Sequence, residues 1–184
     1  MELYTKELLL RTVTSDDAAE VADMWAYPNG SISPGKAREV IAGMEETHKK
    51  NKQGNICHLC LAVYIKNEPR QIIGWCGLDG KAEPGKTVLF YVIAQQYRRR
   101  GYASQCAEEL LRFAFEEMQY DRIDAGCEKG NTASYRILVK IGMKQEGVYE
   151  NGDPMFFISK ERYKEVGGLI CKNMETIKRG SQYG

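Results

Sequence analysis

The sequence predicts a single α/β domain, in which a mixed sheet of about six to seven strands is flanked by helices. The chain has 184 residues, of which 43% are hydrophobic and 28% charged, the balance of one soluble globular domain with a substantial core. Short β-rich apolar runs alternate along the chain with segments of helical periodicity. Most of those runs are almost continuously apolar, which is typical of strands covered on both faces.

The first half of the chain is predicted to form a strand, two helices and three further strands. Thr14 and Asp17 have the hydroxyl-to-carboxylate spacing of a capping box, which opens a helix. Ser33 and Pro34 provide the cap and first-turn proline of a second helix. The predicted bounds are Leu8–Arg11 for the first strand, Thr14–Trp25 and Ser33–Lys50 for the helices, and Cys57–Ile65, Gln71–Leu78 and Thr87–Ile93 for the later strands.

The second half is predicted to alternate helices and strands. A long helix follows Gly101, because apolar side chains recur at three-to-four spacing as far as Met118. Asn131 caps a further helix, which Gly142 ends in the left-handed conformation. That helix has a predicted inner face of Ala133, Ile137, Leu138 and Ile141. The other predicted elements are strands at Arg122–Cys127, Gln145–Tyr149 and Met155–Ile158, and a short helix after Ser159, giving a domain over residues 1–166 and a tail over 167–184.

Charge and hydropathy argue against several classes of function. The formal net charge is +1, so no bulk attraction to nucleic acid or to an anionic membrane is expected. No apolar run approaches the roughly 20 residues that span a bilayer. The first seven residues lack the basic-then-apolar order of a signal peptide, so the predicted location is cytoplasmic.

The chain has six cysteines, and only Cys57 and Cys60 have the spacing of metal ligands. They lie in a predicted strand, where residues three apart point to opposite faces. No second pair of cysteines or histidines follows nearby to complete a tetrahedral site. We therefore expect no metal and predict reduced, mostly buried thiols.

A candidate anion site lies where the Thr87–Ile93 strand leads into the long helix. Three arginines precede Gly101, and the first helical turn, Tyr102–Gln105, contains no acidic residue. The N–H groups of a first helical turn lack partners within the helix, and the helix dipole makes that end electropositive. The segment has neither a Walker loop nor a dinucleotide fingerprint. It therefore predicts anion binding, with a solvated surface charge run as the alternative.

Two motifs resemble those of the GNAT N-acetyltransferases. In the first, Arg98, Gly101 and Ala103 meet the pattern of Gln or Arg, two residues, Gly, one residue, and Gly or Ala. In the second, the run Asn131–Met143 is similar to the later motif of the ribosomal-protein alanine N-acetyltransferase-like branch. The segment Thr5–Arg11 also resembles the opening of that branch. The resemblance spans about residues 5 to 165 and implies a largely antiparallel sheet with splayed central strands.

The resemblance also implies which residues bind the acyl donor, acetyl-CoA, without a metal. The strand before the turn would pair with the pantetheine arm, and the turn would hold the pyrophosphate. A cap asparagine and a serine from the second motif would contact the cofactor, although the asparagine also suits a plain cap. The implied residues are Tyr91, Val92 and Ile93 for the pantetheine arm. For the pyrophosphate they are Arg98, Arg99, Arg100, Gly101, Tyr102, Ala103 and Ser104, and from the second motif they are Asn131 and Ser134.

The implied reaction is direct attack of an amine on the thioester in a ternary complex. Tyr135 would protonate the leaving thiolate, with an aromatic packed on the helix flank as the alternative. Related enzymes often carry a carboxylate at the position of Val88, so the base must be replaced here, and Glu128 and Asp79 are the candidates. His58 is either a further candidate or a core histidine with a hydrogen-bond partner.

The identity of the acceptor is left open by the sequence. A protein N-terminus, a polyamine, an amino sugar or an antibiotic would fit an amine acetyltransferase, acting as a monomer or homodimer without nucleic acid or membrane. Pro28-Asn29-Gly30 and Asn151-Gly152-Asp153 are polar candidates for a flexible substrate rim. The alternatives from other classes are a non-catalytic acyl-CoA-binding or sensing module and, more weakly, RNA binding by the arginines.

Overall fold

A computed structural model describes residues 1–25, 30–68 and 71–167. The chain divides into two compact units, Met1–Tyr120 and a second that begins at Asp121. Pro28 and Asn29 of the predicted substrate rim and residues 168–184 of the predicted tail lie outside the described residues, whereas Gly167, the first residue of that tail, is helical. Within the described ranges, no helix has the length and apolar character needed to cross a bilayer.

The described residues of the first unit form five strands that pair antiparallel in chain order. In the register of the last three, His58 lies opposite Asp79, and Gly77 lies opposite Phe90. The short first strand was not predicted, because three residues carry too little periodic signal. The strands are β1 Glu2–Tyr4, β2 Leu8–Arg11, β3 His58–Ile65, β4 Gly74–Asp79 and β5 Val88–Ile93.

The predicted helix caps of the first unit are present. The Thr14 N–H donates to the Asp17 carboxylate at 2.7 Å, and the Ser33 hydroxyl accepts from the N–H of Lys36 at 3.2 Å. A single 3-10 turn, Ser15–Asp17, separates the first cap from its helix. The helices are α1 Ala18–Met24, α2 Pro34–His48 and α3 Tyr102–Arg112, the last continuing as a π-helical turn over Phe113–Glu117.

The helices cover the two faces of these strands. One core is formed by α1, α2 and alternate residues of β3 and β4, with Tyr64 and Trp75 at its centre. The α3 helix packs against β2, β4 and β5. Because strand side chains alternate between faces, this arrangement buries nearly every residue of β3 and β4, as the apolar runs predict.

A bidentate ion pair anchors β2 to the start of α1. The two guanidinium nitrogens Nη1 and Nη2 of Arg11 donate to the Asp17 carboxylate at 2.8 and 2.6 Å. The same guanidinium lies 4.5 Å from the ring centroid of Tyr64. The Asp17 side chain is only 9% exposed, and hydrogen bonding to Arg11 lowers the pKa of its carboxyl.

We expect Asp17→Asn to lower the free energy of unfolding by about 1–3 kcal/mol, since it leaves the half-buried guanidinium without its charge partner. Because the folded pKa of Asp17 lies below its unfolded value, its contribution is present above about pH 5 and is lost as the pH falls below about 4. Urea unfolding from pH 7 to pH 3 should therefore show a shallower decline for the variant. Exposed Asp16→Asn is the control, and an equal decline for wild type and Asp17→Asn would contradict the assignment.

The described part of the second unit, residues 121–167, contains three strands, of which the last pairs antiparallel with both others. A register irregularity between Gln145 and Gly147 marks a bulge in the exposed strand β7. Arg122 bridges Asp124 at 2.7 Å and Glu146 at 2.5 Å. The elements are β6 Arg122–Gly126, α4 Thr132–Lys140, β7 Lys144–Val148 and β8 Pro154–Ser159, followed by helical residues 160–167.

Three predictions about the elements need correction. The described residues contain eight strands in the two units, more than the six to seven predicted. Ala133 is exposed, so its place on the inner face of α4 was wrong: it lies in the first turn, whereas Leu138 and Ile141 are buried and Ile137 is half-buried. The long helix to Met118 is α-helical only to Arg112, because the N–H of Met118 reaches back five residues to Phe113 O.

Candidate active site

The anion turn, Arg98–Ser104, joins β5 to α3 through an unusual backbone. Arg98 is extended, Arg99 has φ 62°, and Gly101 has φ 81° and ψ 0°. A positive φ is uncommon for a residue other than glycine and costs roughly 1–2 kcal/mol. Turns that mix left-handed and ordinary residues can aim successive N–H groups into one concavity, which favours anions.

The first turn of α3 presents its N–H groups outward. The first N–H of this helix that finds a helix-type acceptor is that of Gln105, which donates to Gly101 O at 3.1 Å. The N–H groups of Tyr102, Ala103 and Ser104 therefore precede the helical ladder. No acidic residue lies in this turn, and a Cβ placed on Gly101 would meet no atom within 4 Å. The end of the helix is thus electropositive, with open space in front of it.

The three arginines of the turn have different surroundings. Arg98 Nε donates to Ile93 O at 2.9 Å, which ties the turn to the end of β5. The Arg100 guanidinium lies 5.8 Å from the ring centroid of Tyr97. All three are exposed, so they can contribute positive charge around the turn.

The burial of the predicted cofactor-binding residues indicates which of them could contact a ligand through the side chain and which only through the main chain. Ile93, Tyr102 and Ser104 are buried, so any contact they make with a ligand in front of the turn must use the main chain. Tyr91 and Val92 are half-buried on β5, as is Ala103 at the start of α3.

The remaining predicted site residues lie on the second unit. Asn131 Oδ1 accepts from the N–H of Ser134 at 3.1 Å, so the predicted cap is present. The Tyr135 hydroxyl donates to Gln145 Oε1 at 3.2 Å, its ring meets Phe156 edge-on with centroids 5.2 Å apart, and the residue is 39% exposed. The catalytic and cofactor roles of Asn131, Ser134 and Tyr135 stay predictions.

The base candidates occupy different places. Glu128 is exposed in the loop between β6 and α4, and its role also stays a prediction. His58 and Asp79, which the sequence offers separately, come together on β3 and β4 with 3.5 Å between Nδ1 and Oδ1. Sequence reasoning missed this pairing, although counting residues outward from the β3–β4 turn is the signal that could have revealed it.

The cysteines do not form a ligand cluster in the described ranges. Cys57 precedes β3 and is half-buried, whereas Cys60 is buried within it, and burial raises the pKa of the Cys60 thiol to about 12. Across residues 1–25, 30–68 and 71–167, no group of three or more histidine, cysteine, aspartate or glutamate side chains is placed to hold a metal ion.

Several acetyltransferases resemble this chain in sequence or in structure. The "uncharacterized N-acetyltransferase p20" of Bacillus licheniformis is 25% identical over 155 residues, which cover 79% of this chain and 84% of that protein. A GNAT-family acetyltransferase from Bacillus anthracis matches with a TM-score of 0.65 at 24% identity, covering 88% of this chain and 99% of that one.

A second solved structure, the ribosomal-protein-S5-alanine acetyltransferase from Vibrio fischeri, matches with a TM-score of 0.72 at 19% identity, covering 89% of this chain and 98% of that one. These structural likenesses confirm the predicted α/β fold class. A family profile described as an acetyltransferase (GNAT) domain matches residues 7–144, well over half of the chain. The chain therefore belongs to the GNAT acetyltransferase family.

Proposed function

We propose that this protein transfers an acetyl group from acetyl-CoA to a primary amine, by direct attack in a ternary complex in the cytoplasm. The observation that carries the donor half of this proposal is the anion turn. Its outward N–H groups, left-handed Gly101 and acid-free first helical turn suit a pyrophosphate. Family membership supports the acyl transfer itself.

The donor site uses main chain and charge together. The amides of Arg99 to Ser104 hold the pyrophosphate, and the exposed arginines around them offset its negative charge. The pantetheine arm runs along the backbone of Tyr91–Ile93, so the thioester lies beside β5. A backbone N–H of that strand then stabilises the oxyanion that forms during attack.

The chemistry moves one proton from nitrogen to sulfur. The amine lone pair forms the new C–N bond at the thioester carbon, a base takes the proton from nitrogen, and the C–S bond breaks with its electron pair on sulfur. Tyr135 supplies the proton that converts the leaving thiolate into the thiol, and the tyrosinate takes a proton back from solvent. Its hydroxyl hydrogen, which is directed at Gln145, must turn away from Gln145 for this step.

The acceptor is a protein N-terminus or a small-molecule amine. The turn Asn151-Gly152-Asp153 is a candidate for its binding rim. Asp153 orders this turn, because its carboxylate accepts from Asn151 Nδ2 at 2.8 Å and from the N–H of Lys129 at 2.6 Å. The rim therefore offers a defined polar surface, held by its own hydrogen bonds.

The test is to incubate the protein with acetyl-CoA and a panel of amines: short peptides with free N-termini, spermidine, glucosamine and an aminoglycoside. Coenzyme A release should be followed by chromatography, because the half-buried thiols of Cys57 and Cys127 would also react with thiol reagents. We expect amine-dependent release and an acetylated product by mass spectrometry. Saturable coenzyme A binding without turnover of any amine would contradict the enzyme and favour the sensing module.

A further inference from the structure

The His58–Asp79 pair lies one strand away from the strand predicted to hold the thioester. His58 begins β3 and Asp79 ends β4, directly opposite each other in the register. Asp79 is in turn the partner of Val88 at the start of β5. The His58 and Asp79 side chains are each 29% exposed, so the pair is accessible from solvent while resting on the sheet.

The His58 ring reaches across β4 to β5. It stacks on the ring of Phe90 with centroids 5.8 Å apart and an interplanar angle of 8°. Gly77 makes this contact possible, because a Cβ on Gly77 would lie 2.7 Å from Phe90 Cζ and 1.8 Å from Leu59 O. The imidazole is therefore held next to the residue that immediately precedes Tyr91–Ile93.

The backbone beneath the ring is also fixed. Asn51 Oδ1 accepts from the N–H of Cys57 at 2.9 Å and of His58 at 3.2 Å, while Asn51 Nδ2 donates to His58 O at 3.0 Å. On the partner strand, Asp79 Oδ1 accepts from the N–H of Lys81 at 2.8 Å. Hydrogen bonds thus hold both residues of the pair in place, and proton transfer requires side chains held in a fixed position.

Charge and tautomer follow from this geometry. A carboxylate facing Nδ1 favours the tautomer with the proton on Nδ1, which leaves Nε2 as an acceptor. Two titratable groups of the described residues interact with His58, namely Asp79 on β4 and His48 on α2. Burial lowers the pKa of His48, and the nearby His58 lowers it further. His48 Nε2 accepts from the N–H of Cys60 at 3.2 Å, which gives that histidine a structural role.

We propose that His58 is the general base of the acetyl transfer and that Asp79 is its positioning residue. The inference rests on the proposed function, and it moves the role of base from Glu128 to this pair. Nε2 takes the proton from the attacking nitrogen, directly or through one water, as the C–N bond forms. The proton then passes from Nε2 to solvent, while the departing sulfur receives its own proton from the acid.

The kinetic test uses His58→Ala, Asp79→Asn and Glu128→Gln with the amine that wild type acetylates best. We expect kcat to fall about 100-fold or more for His58→Ala and less for Asp79→Asn, with coenzyme A affinity unchanged. Added imidazole should restore part of the rate of His58→Ala, because it can replace a missing base. Full activity in His58→Ala, or a loss confined to Glu128→Gln, would overturn the proposal.

A second measurement separates this inference from the proposed function. The chain has two histidines, so nitrogen-15 NMR shows two imidazole patterns, and His58→Gln identifies which is His58. We expect the Nδ1–H tautomer for His58 in wild type and loss of that preference in Asp79→Ala. An Nε2–H tautomer in wild type would overturn the base assignment even if amines are acetylated. If wild type acetylates no amine, the proposed function fails, whatever the tautomer.

Discussion

Gly101→Glu is expected to abolish coenzyme A binding, with at least about a hundredfold loss of affinity by calorimetry. Two effects act together. The residue has φ 81°, which costs a side-chain-bearing residue roughly 1–2 kcal/mol. The space in front of it is open, so the new carboxylate would extend into the volume where the amides of the first turn of α3 would receive phosphate.

Two controls separate charge from backbone strain. Gly101→Ala keeps the strain without the carboxylate and should lose only about tenfold. Gly54→Glu adds the same side chain at a left-handed glycine, φ 70° with open space around it, but between α2 and β3. Its coenzyme A affinity should equal that of wild type. Unchanged affinity in Gly101→Glu would refute the placement of the pyrophosphate.

Tyr135→Phe is expected to lower kcat by about 100-fold while leaving coenzyme A affinity unchanged, because general acid catalysis typically contributes 10²–10⁴-fold. The substitution removes only the hydroxyl. The edge-on packing against Phe156 needs the ring alone, and residue 135 is 39% exposed, so the fold should tolerate the loss. Steady-state rates and calorimetry on the same preparations provide both numbers.

Tyr4→Phe is the matched control for this prediction, since Tyr4 is an exposed tyrosine on β1. It should retain the wild-type kcat. Gln145→Ala adds a second comparison, because it removes the acceptor of the Tyr135 hydroxyl without touching the tyrosine. Equal rates for wild type and Tyr135→Phe would show that the ring serves only in packing.

Local hydrogen-bond chemistry explains why several elements could be predicted from the sequence. Ser33 and Asn131 cap their helices within three residues, and Gly142 adopts the expected left-handed conformation at φ 92°. Such features depend on side chains close in sequence, so the residue types carry the information. The anion turn belongs to the same class, because it is one strand end followed by one helix start.

Long-range features could not be predicted in the same way. The His58–Asp79 pair joins residues 21 positions apart and depends on the register of β3 against β4. Two apolar runs of similar length do not determine that register to within one residue. The π-helical turn at Phe113–Glu117 has ordinary helical composition, so the local sequence does not distinguish it from an α-helix. Acceptor choice depends on surfaces that no motif describes.

The bulged strand β7 affects how the protein behaves at high concentration. Among the described strands, the partner of β7 is β8, and most residues of β7 are exposed. Its backbone is therefore a place where a second chain could add a strand. Lys144 and Glu146 place charge along it, and the irregular register between Gln145 and Gly147 interrupts its regular ladder. These features discourage strand addition by another copy of the chain, which matters most at high concentration.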